Sequence, residues 1–350
     1  MKGTGLLEQH LERIVRYAAM APSLHNSQPW RFRLVAGLLE LRVDPERHLP
    51  ATDPDGRQQL ISCGAALFGA RLAVRSLGHQ ERVALLPDPA DPDLLARVVV
   101  GDPKPRTPWD DALLAALPRR RTARAGFVDG DVDHALRVAL CRAAAEQGTR
   151  LYLLEHAGHR RAVTGIVAAA DRAQQAHPNV RRELQEWTPG PEAPRADGIP
   201  VWAYPAGRQS GAGDGLAARD FDAGRHQGLL DVDEHAAQDP LGAVLLTPAD
   251  TRRDRLSAGA ALQAVLLTAA AGGVQASLHS QPIGLGGLRS LIADEVGHGG
   301  QPQMLLQLGH AAPTPATPRR APSEVIDVLG TYGTRAGPLV PGTEPPSRVQ

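Results

Sequence analysis

The sequence contains only two cysteines, Cys63 and Cys141, which lie far apart along its 350 residues. They form no CxxC motif and no zinc-ligand pattern, so we expect neither a disulfide framework nor a metal site. No charge of one sign dominates, because 38 Lys+Arg balance 38 Asp+Glu. This balance argues against nucleic acid or a membrane as a partner, since both attract a surplus of positive charge.

Long uninterrupted hydrophobic runs are also absent. The longest apolar segment, residues 258–274, is broken by Gln263 and a pair of glycines, while Glu8, Glu12 and Arg13 interrupt the N-terminal pattern. A transmembrane helix needs about 20 apolar residues, and a signal peptide needs an unbroken apolar core. We therefore expect a cytoplasmic protein.

Aromatic residues make up only 3% of the chain, whereas 42% of its residues are hydrophobic. The core must therefore be built from Ala, Leu and Val, in helices that pack closely through small contact residues. The 36 glycines and 30 prolines predict long loops. A chain of 350 residues suggests about two domains.

The order of predicted elements partly repeats along the chain. Apolar periodicity predicts a hairpin over 31–43 and a long helix over 160–187. The motif SxGAAL occurs twice, at residues 62–67 and 257–262, each time within an Ala-rich helical pattern and at an offset of 195 residues. We interpret this as two copies of one α+β unit, whose central helices pack at a pseudo-twofold axis.

Two segments lie outside this repeat. Residues 188–240 are polar and rich in Gly, Pro, Asp and Arg, and so long a connection is typical of a lid, an active-site cover or disorder. Residues 331–350 are rich in proline without apolar periodicity, which predicts a disordered tail.

The first candidate site is the cluster Arg120, Arg121 and Arg124 around Thr122. Guanidinium groups four residues apart, with a hydroxyl between them, can converge on one phosphate. A solvated run of arginines that offsets a helix dipole explains the pattern equally well. Arg319 and Arg320 follow the last predicted strand and suggest either a second phosphate clamp or an exposed loop.

The second candidate site is the segment Ala-Pro-Ser-Leu-His-Asn-Ser-Gln-Pro-Trp at 21–30. Its hydroxyl and amide groups lie in a loop stiffened by two prolines, and such loops can hydrogen-bond to the edge of a planar heterocycle. The alternative is a helix stop followed by a buried Trp30. Neither a GxGxxG nor a P-loop motif occurs, so a Rossmann or Walker phosphate site is excluded.

Together these motifs resemble the nitroreductase family. The segment at 21–30 is similar to the loop that closes over FMN in that family. Arg120 to Arg124, followed by Phe127, is similar to its Arg-x-Ser-x-Arg motif for the phosphate and ribityl chain, with Thr122 in place of Ser. The His-Asn-Ser-Gln-Pro-Trp form and the ending of the chain resemble the Acg-like branch, in which two nitroreductase units are fused.

The resemblance implies an α+β fold: a tandem pseudo-dimer of two three-layer α-β-α units with central, mainly antiparallel sheets. We expect a first half over 1–112 and a second half over 113–330, with residues 188–240 as its lid-like insertion. The first half keeps the loop motif and the second half keeps the arginine motif. One composite FMN site per chain is therefore expected.

The resemblance also assigns roles to residues. It implies phosphate contacts from Arg120, Thr122 and Arg319, and a contact of Arg124 with the ribityl chain or with flavin N1 and O2. The full set of expected FMN-binding residues is Pro22, Ser23, His25, Asn26, Gln28, Arg120, Thr122, Arg124, Ser277, Leu278, Arg319 and Arg320.

The implied activity is NAD(P)H-linked reduction of a nitroaromatic or quinone-like acceptor by ping-pong flavin chemistry. No catalytic side chain is expected, because the flavin is the reacting group. The alternative is a non-catalytic protein that binds or stores FMN beneath a lid. The expected partners are NAD(P)H and a small aromatic acceptor, and the expected state is a monomer with an internal pseudo-dimer or a homodimer.

Overall fold

The computed structural model describes residues 4–192, 195–206, 219–222, 224–231, 240–296 and 299–327. Within these ranges, no helix combines the length and the apolar character needed to cross a membrane. The predicted tail at 331–350 and much of the predicted insertion at 188–240 lie outside the described residues.

The first sheet has five strands, in the spatial order third, fourth, second, first and ninth. They are β1 (Trp30–Val35), β2 (Leu38–Val43), β3 (His79–Leu85), β4 (Leu94–Pro103) and β9 (Ile326–Asp327). All pairs are antiparallel except β1 with β9. The hairpin predicted over 31–43 is confirmed, with Ala36 and Gly37 both at positive φ in the turn, as a type I′ hairpin requires.

The second sheet has four strands and is antiparallel throughout. Its strands are β5 (Arg150–Leu153), β6 (Leu241–Thr247), β7 (Gln275–His279) and β8 (Gln301–Gly309), in the order β5-β6-β8-β7. Every residue of β6 is buried, since helices cover both faces of this sheet.

Ten α-helices lie within the described residues. They are α1 (Thr4–Ala19), α2 (Arg57–Ser76), α3 (Pro108–Ala116), α4 (His134–Ala145), α5 (Ala157–Ala176), α6 (Pro178–Glu186), α7 (Arg252–Ala271), α8 (Gln281–Gly284), α9 (Gly286–Val296) and α10 (Pro322–Val325). The prediction of one helix over 160–187 is wrong. His177 has ψ 114°, because Pro178 disfavours helical geometry in the residue before it.

The two SxGAAL segments lie in α2 and α7, which pack against each other at the centre of the molecule. Both helices are buried around most of their circumference, as expected for helices enclosed between two sheets. This arrangement brings Gly64 against Gly259. Small residues at the contact allow the backbones to approach closely.

The predicted three-layer unit is found around the second sheet only. Alternate residues of β6 face opposite sides, so Leu245 joins the core with α7 and Val244 joins the core with α5 and α9. In the first sheet, Phe32 packs towards α1 and α2, whereas its neighbours Arg31 and Arg33 form ion pairs with Asp327. Among the described residues this charged face carries no helix, so helices cover the first sheet on one face only.

The predicted boundary at 112/113 falls inside α3. In addition, β9 lies near the end of the predicted second half but pairs with β1 in the first sheet. The chain therefore returns to the first sheet after completing the second one. A clean division at 112/113 does not describe how the two sheets are assembled.

Candidate functional site

A cavity of about 290 Å³ lies between the two sheets, beside the α2–α7 contact. Its walls come from the loop after α1, the beginning of α2, the segment after α3, one end of β7 and the segment after β8. The loop motif at 21–30 and the arginine motif at 120–124 are thus brought together at one cavity, although about 100 residues separate them in the sequence.

The loop after α1 has an unusual backbone. His25, Asn26 and Gln28 have φ values of 52°, 57° and 52°, a region that side chains other than glycine rarely adopt. The loop is closed by the Gln28 amide, which donates to Ser23 Oγ at 2.9 Å. Backbone strain of this kind is maintained only where the surrounding structure enforces it, and it is common at binding sites.

Asn26 connects three parts of the chain. Its Nδ2 donates to Gly198 O at 2.9 Å and to Pro318 O at 3.1 Å, and its Oδ1 accepts from Arg319 at 2.9 Å. Asn26 lines the cavity as predicted, but its amide group is already committed to protein partners. Its role in the structure is to hold the walls together.

Five arginines line the cavity: Arg120, Arg121, Arg124, Arg219 and Arg319. No Asp or Glu is found among the described residues of its lining. Arg120 donates to Met20 O at 3.3 Å and Arg319 donates to Ala19 O at 2.8 Å, so both are anchored at the C-terminal end of α1. Carbonyl groups at a helix C-terminus favour a cation there.

Several of these guanidinium donors lack a partner. Nε and Nη1 of Arg120 and Nε of Arg124 are buried without a hydrogen bond in the described structure. Burial lowers the pKa of Arg120 to about 9, with further contributions from the charges of Arg319 and Arg121. It also lowers the pKa of Arg124 and of Arg319 to about 10. Desolvated cations that lower one another's pKa are stabilised by an anion between them, so the donor set fits a phosphate.

His25 lies in the same cavity. It is 3% exposed, and neither ring nitrogen has a hydrogen-bond partner among the described groups. Its pKa is well below the ordinary value, because of burial first and then the charges of Arg219 and Arg124. A neutral imidazole offers one donor and one acceptor.

The structure places most of the predicted site residues in the lining of this cavity. They are Pro22, Ser23, His25, Asn26, Arg120, Thr122, Arg124, Leu278 and Arg319. Gln28 and Arg320 lie outside the lining and contact each other: Gln28 Oε1 accepts a hydrogen bond from the backbone N–H of Arg320 at 2.9 Å. The Arg320 guanidinium faces Asp44 at 3.4 Å, so the expectation that Arg320 contacts phosphate is not supported.

Ser277 is the third predicted residue outside the lining. Successive side chains of a strand point to opposite faces, and Leu278 and Ser280 are the ones that reach the cavity. The side chain of Ser277 therefore does not line the cavity, whereas the predicted Leu278 and the neighbouring Ser280 do.

Sequence reasoning also missed Arg219. This residue and Phe221 belong to the long segment at 188–240 and line the cavity, as a covering segment would. Phe221 stood out in the sequence as an isolated aromatic in a polar stretch, but no motif marks Arg219.

Named M. tuberculosis proteins resemble this chain over nearly its whole length. A Mycobacterium tuberculosis protein named "Putative NAD(P)H nitroreductase" is 36% identical over 346 residues, which cover 93% of this chain and 95% of that protein. The M. tuberculosis protein Acg, which bears the same designation, is 29% identical over 333 residues, covering 94% and 98%. The chain belongs to the nitroreductase family, in the Acg-like branch. No family model matches it.

Solved nitroreductases resemble this nitroreductase-family chain more distantly. The FMN-dependent nitroreductase NfnB from Mycobacterium smegmatis in complex with NADPH is 16% identical, covering 63% of this chain and 99% of that chain, with a TM-score of 0.38. A nitroreductase with bound FMN from Desulfitobacterium hafniense is 13% identical, covering 63% and 98%, with a TM-score of 0.39. The family predicted from the loop and arginine motifs is confirmed by the M. tuberculosis relatives.

Proposed function

We propose that this chain binds FMN and uses NAD(P)H to reduce a small aromatic acceptor of the nitroaromatic or quinone type. The observation that carries the proposal is a cavity in which desolvated guanidinium groups have no carboxylate partner among the described lining residues. The names of the M. tuberculosis relatives and the ligands of the solved nitroreductases support the same activity.

The residues present fit the two ends of FMN. Arg120, Arg121 and Arg319, with the hydroxyl groups of Thr122 and Thr317, would hold the phosphate. The flavin ring would lie against the loop after α1, where apolar side chains alternate with polar groups. Ser23 Oγ accepts one hydrogen bond from Gln28, and its own proton remains available to a ligand.

When bound, FMN supplies two-electron chemistry, so that NAD(P)H, a proton and a quinone give NAD(P)⁺ and a hydroquinone. This chain's own residues would bind the cofactor, orient its ring and enclose the site. Arg124 would place a positive charge beside the ring, and Ile199 and Phe221 restrict the access of water from the side of the 188–240 segment. No side-chain acid or base is required at this site.

The composite nature of the site supports duplication of an ancestral unit. The loop wall comes from the first copy and the arginine wall from the second, and α2 and α7 already form an internal dimer-like contact. We propose one FMN site per chain. An internal contact of this kind removes the need for a second chain to complete the site, so either a monomer or a homodimer is compatible with it.

The direct experiment combines a flavin count with reduction. Purified protein should contain one FMN per chain, and NADH or NADPH should bleach its visible absorbance under anaerobic conditions within minutes. Subsequent addition of a quinone should restore the colour. Protein that refolds or purifies without any affinity for FMN would contradict the proposal.

A second candidate function is FMN binding or storage without turnover. It is favoured by Phe221, whose ring lines the cavity from the side of the insertion and lies 5.6 Å from the Cζ atoms of both Arg124 and Arg219. Photoreduction that bleaches the flavin, combined with no bleaching by either nicotinamide cofactor, would select this function over the oxidoreductase.

A further inference from the structure

The cavity has a second cationic end that the FMN phosphate does not need. We call it the Arg219 end and define it by His25, Arg124, Arg219 and Phe221. The Cζ atoms of Arg124 and Arg219 each lie 5.6 Å from the centroid of the Phe221 ring. The Tyr204 ring packs against Phe221 at 6.3 Å between centroids. The Phe221 ring thus already lies within cation–π distance of two guanidinium groups.

This end is anchored to a different part of the protein from the phosphate end. Arg120 and Arg319 are held by carbonyl groups at the end of α1. Arg219 instead donates to Gln174 Oε1 of α5 at 3.2 Å. Arg124 belongs to both ends, since its charge lowers the pKa of Arg319 and also that of His25. The arginines therefore form two groups linked by Arg124.

The acidic groups near Arg219 do not line the cavity. Asp171 and Glu183 both raise the pKa of Arg219 against the larger effect of its burial. Glu183 is committed to the backbone amides of Ala51 and Thr52, each at 2.9 Å. Asp171 accepts a hydrogen bond from Gln175. On its cavity side, Arg219 thus faces an aromatic ring and an imidazole.

His25 is the second observation that points to a ligand here. Its imidazole is buried and lines the cavity, and both of its ring nitrogens lack a partner in the described structure. The left-handed backbone at His25 holds the ring in this position. Buried polar groups are nearly always hydrogen-bonded, so an imidazole of this kind is completed by a bound molecule.

A phosphate monoester carries a charge of about −1.5 to −2, which the arginines at the end of α1 can offset. The Arg219 end then keeps the Arg219 guanidinium, the His25 imidazole and the Phe221 ring, and Arg124 lies between this end and the flavin. We propose that the Arg219 end binds the electron acceptor, and that this acceptor is an aromatic molecule that carries an anionic group such as a carboxylate. The inference rests on the proposed function, because it names the class of acceptor used at the same site.

Binding tests the inference without turnover. Titration calorimetry on the FMN-bound protein should show that benzoate binds at least about tenfold more tightly than benzamide, its neutral counterpart, since a charge-assisted hydrogen bond is replaced by a neutral one. The variant Arg219→Gln should abolish this difference, whereas Arg219→Lys should keep part of it. The exposed Arg172→Gln in α5 is the matched control and should behave like the wild type.

Kinetics provides the second arm. With 4-nitrobenzoate and its neutral methyl ester as acceptors, Arg219→Gln should lower kcat/KM for the acid by about tenfold or more relative to the ester.

Equal binding of benzoate and benzamide to the wild type, or equal effects of Arg219→Gln on both acceptors, would overturn the inference. Loss of FMN affinity in Arg219→Gln would also overturn it, because Arg219 would then belong to the cofactor site. Failure of the proposed function is distinct: neither acceptor would be reduced, while the calorimetric preference for benzoate could still be measured.

Discussion

Gly64 of α2 lies against Gly259 of α7, and the two glycines occupy the same position of the repeated SxGAAL motif. A Cβ on Gly64 would overlap the carbonyl oxygen of Leu256, and a Cβ on Gly259 would overlap that of Ile61. Ile61 and Leu256 are themselves separated by the 195-residue offset of the repeat. The contacts are therefore exchanged as in an isologous twofold interface, which supports the proposed duplication.

Substitution of either glycine should destabilise the protein. Gly64→Ala forces a methyl group against backbone atoms that cannot move independently, so we expect the free energy of unfolding to fall by about 1–3 kcal/mol or more. Urea denaturation followed by circular dichroism measures this change. Because the cavity lies beside this contact, FMN affinity should fall as well.

Gly165 in α5 is the matched control, since a Cβ there would meet no atom within 4 Å. Gly165→Ala should be neutral or should raise stability by roughly 0.5–1 kcal/mol, as expected for alanine in a helix interior. Similar effects of the two substitutions would show that the α2–α7 contact is looser than the structure indicates.

Asn26 provides a second prediction. Asn26→Asp keeps an acceptor for Arg319 but replaces two donated hydrogen bonds with an oxygen that faces the carbonyl groups of Gly198 and Pro318. We expect a loss of about 2–4 kcal/mol in the free energy of unfolding, from two buried groups left unsatisfied. Limited proteolysis should cut residues 195–206 faster, because Asn26 holds this segment to the cavity wall.

The chain has one other asparagine, the exposed Asn179 at the beginning of α6, and Asn179→Asp is the natural control. It should leave both the stability and the cleavage rate near those of the wild type. Unchanged proteolysis in Asn26→Asp would mean that the 195–206 segment is held mainly by other contacts, such as the Arg47–Asp197 ion pair at 2.7 Å.

The parts of the site that could be predicted are those that depend on local residue chemistry. Two motifs indicate binding groups whatever the surrounding fold: the loop of hydroxyl and amide side chains between two prolines, and the arginines around Thr122. Arg219 could not be predicted in this way, because its position depends on the path of a segment without periodicity. Which of Ser277 and Leu278 faces the cavity could not be predicted either, since the face of β7 is fixed only by its pairing with β8.

The fold shows the same division. The hairpin and the buried helices followed from periodicity. The first sheet carries helices on one face only, and the alternation of Arg31, Phe32 and Arg33 contains that information: a strand with charged residues on one face does not bury that face under a helix. The pairing of β9 with β1 joins residues almost 300 positions apart and leaves no local signal.

His279 predicts an acid dependence of stability. Burial lowers its pKa to about 4, although a hydrogen bond with Gln307 acts in the opposite direction and Arg219 adds a smaller decrease. In the unfolded chain the same histidine titrates near 6.5, so between pH 6.5 and 4 the unfolded state binds the extra proton. Stability should therefore fall as the pH falls through this window and level off below pH 4 for this group.

The variant His279→Gln keeps a donor towards Gln307 and removes the titrating ring. The free energy of unfolding should then change less between pH 6.5 and pH 4 than in the wild type. The difference is roughly 3 kcal/mol at most, which is the equivalent of the full pKa shift. His25 contributes in the same direction, because its pKa is also lowered, so part of the slope should remain. An unchanged slope in His279→Gln would show that the pKa of this histidine hardly differs between the folded and unfolded states.

Arg120 gives the sharpest test of the phosphate end. Its guanidinium is buried with two donors unpartnered, and charge-assisted hydrogen bonds of this kind contribute about 1.5–3 kcal/mol each. Arg120→Gln should therefore raise the Kd for FMN by roughly 10- to 100-fold while leaving the weaker affinity for riboflavin, which has no phosphate, nearly unchanged. Fluorescence quenching of each flavin on titration with apoprotein measures both constants.

Arg119→Gln, at the exposed neighbouring position, removes the same charge outside the cavity and should alter neither constant. If Arg120→Gln weakens riboflavin as much as FMN, this arginine supports the loop around the ring, and the phosphate must be held elsewhere.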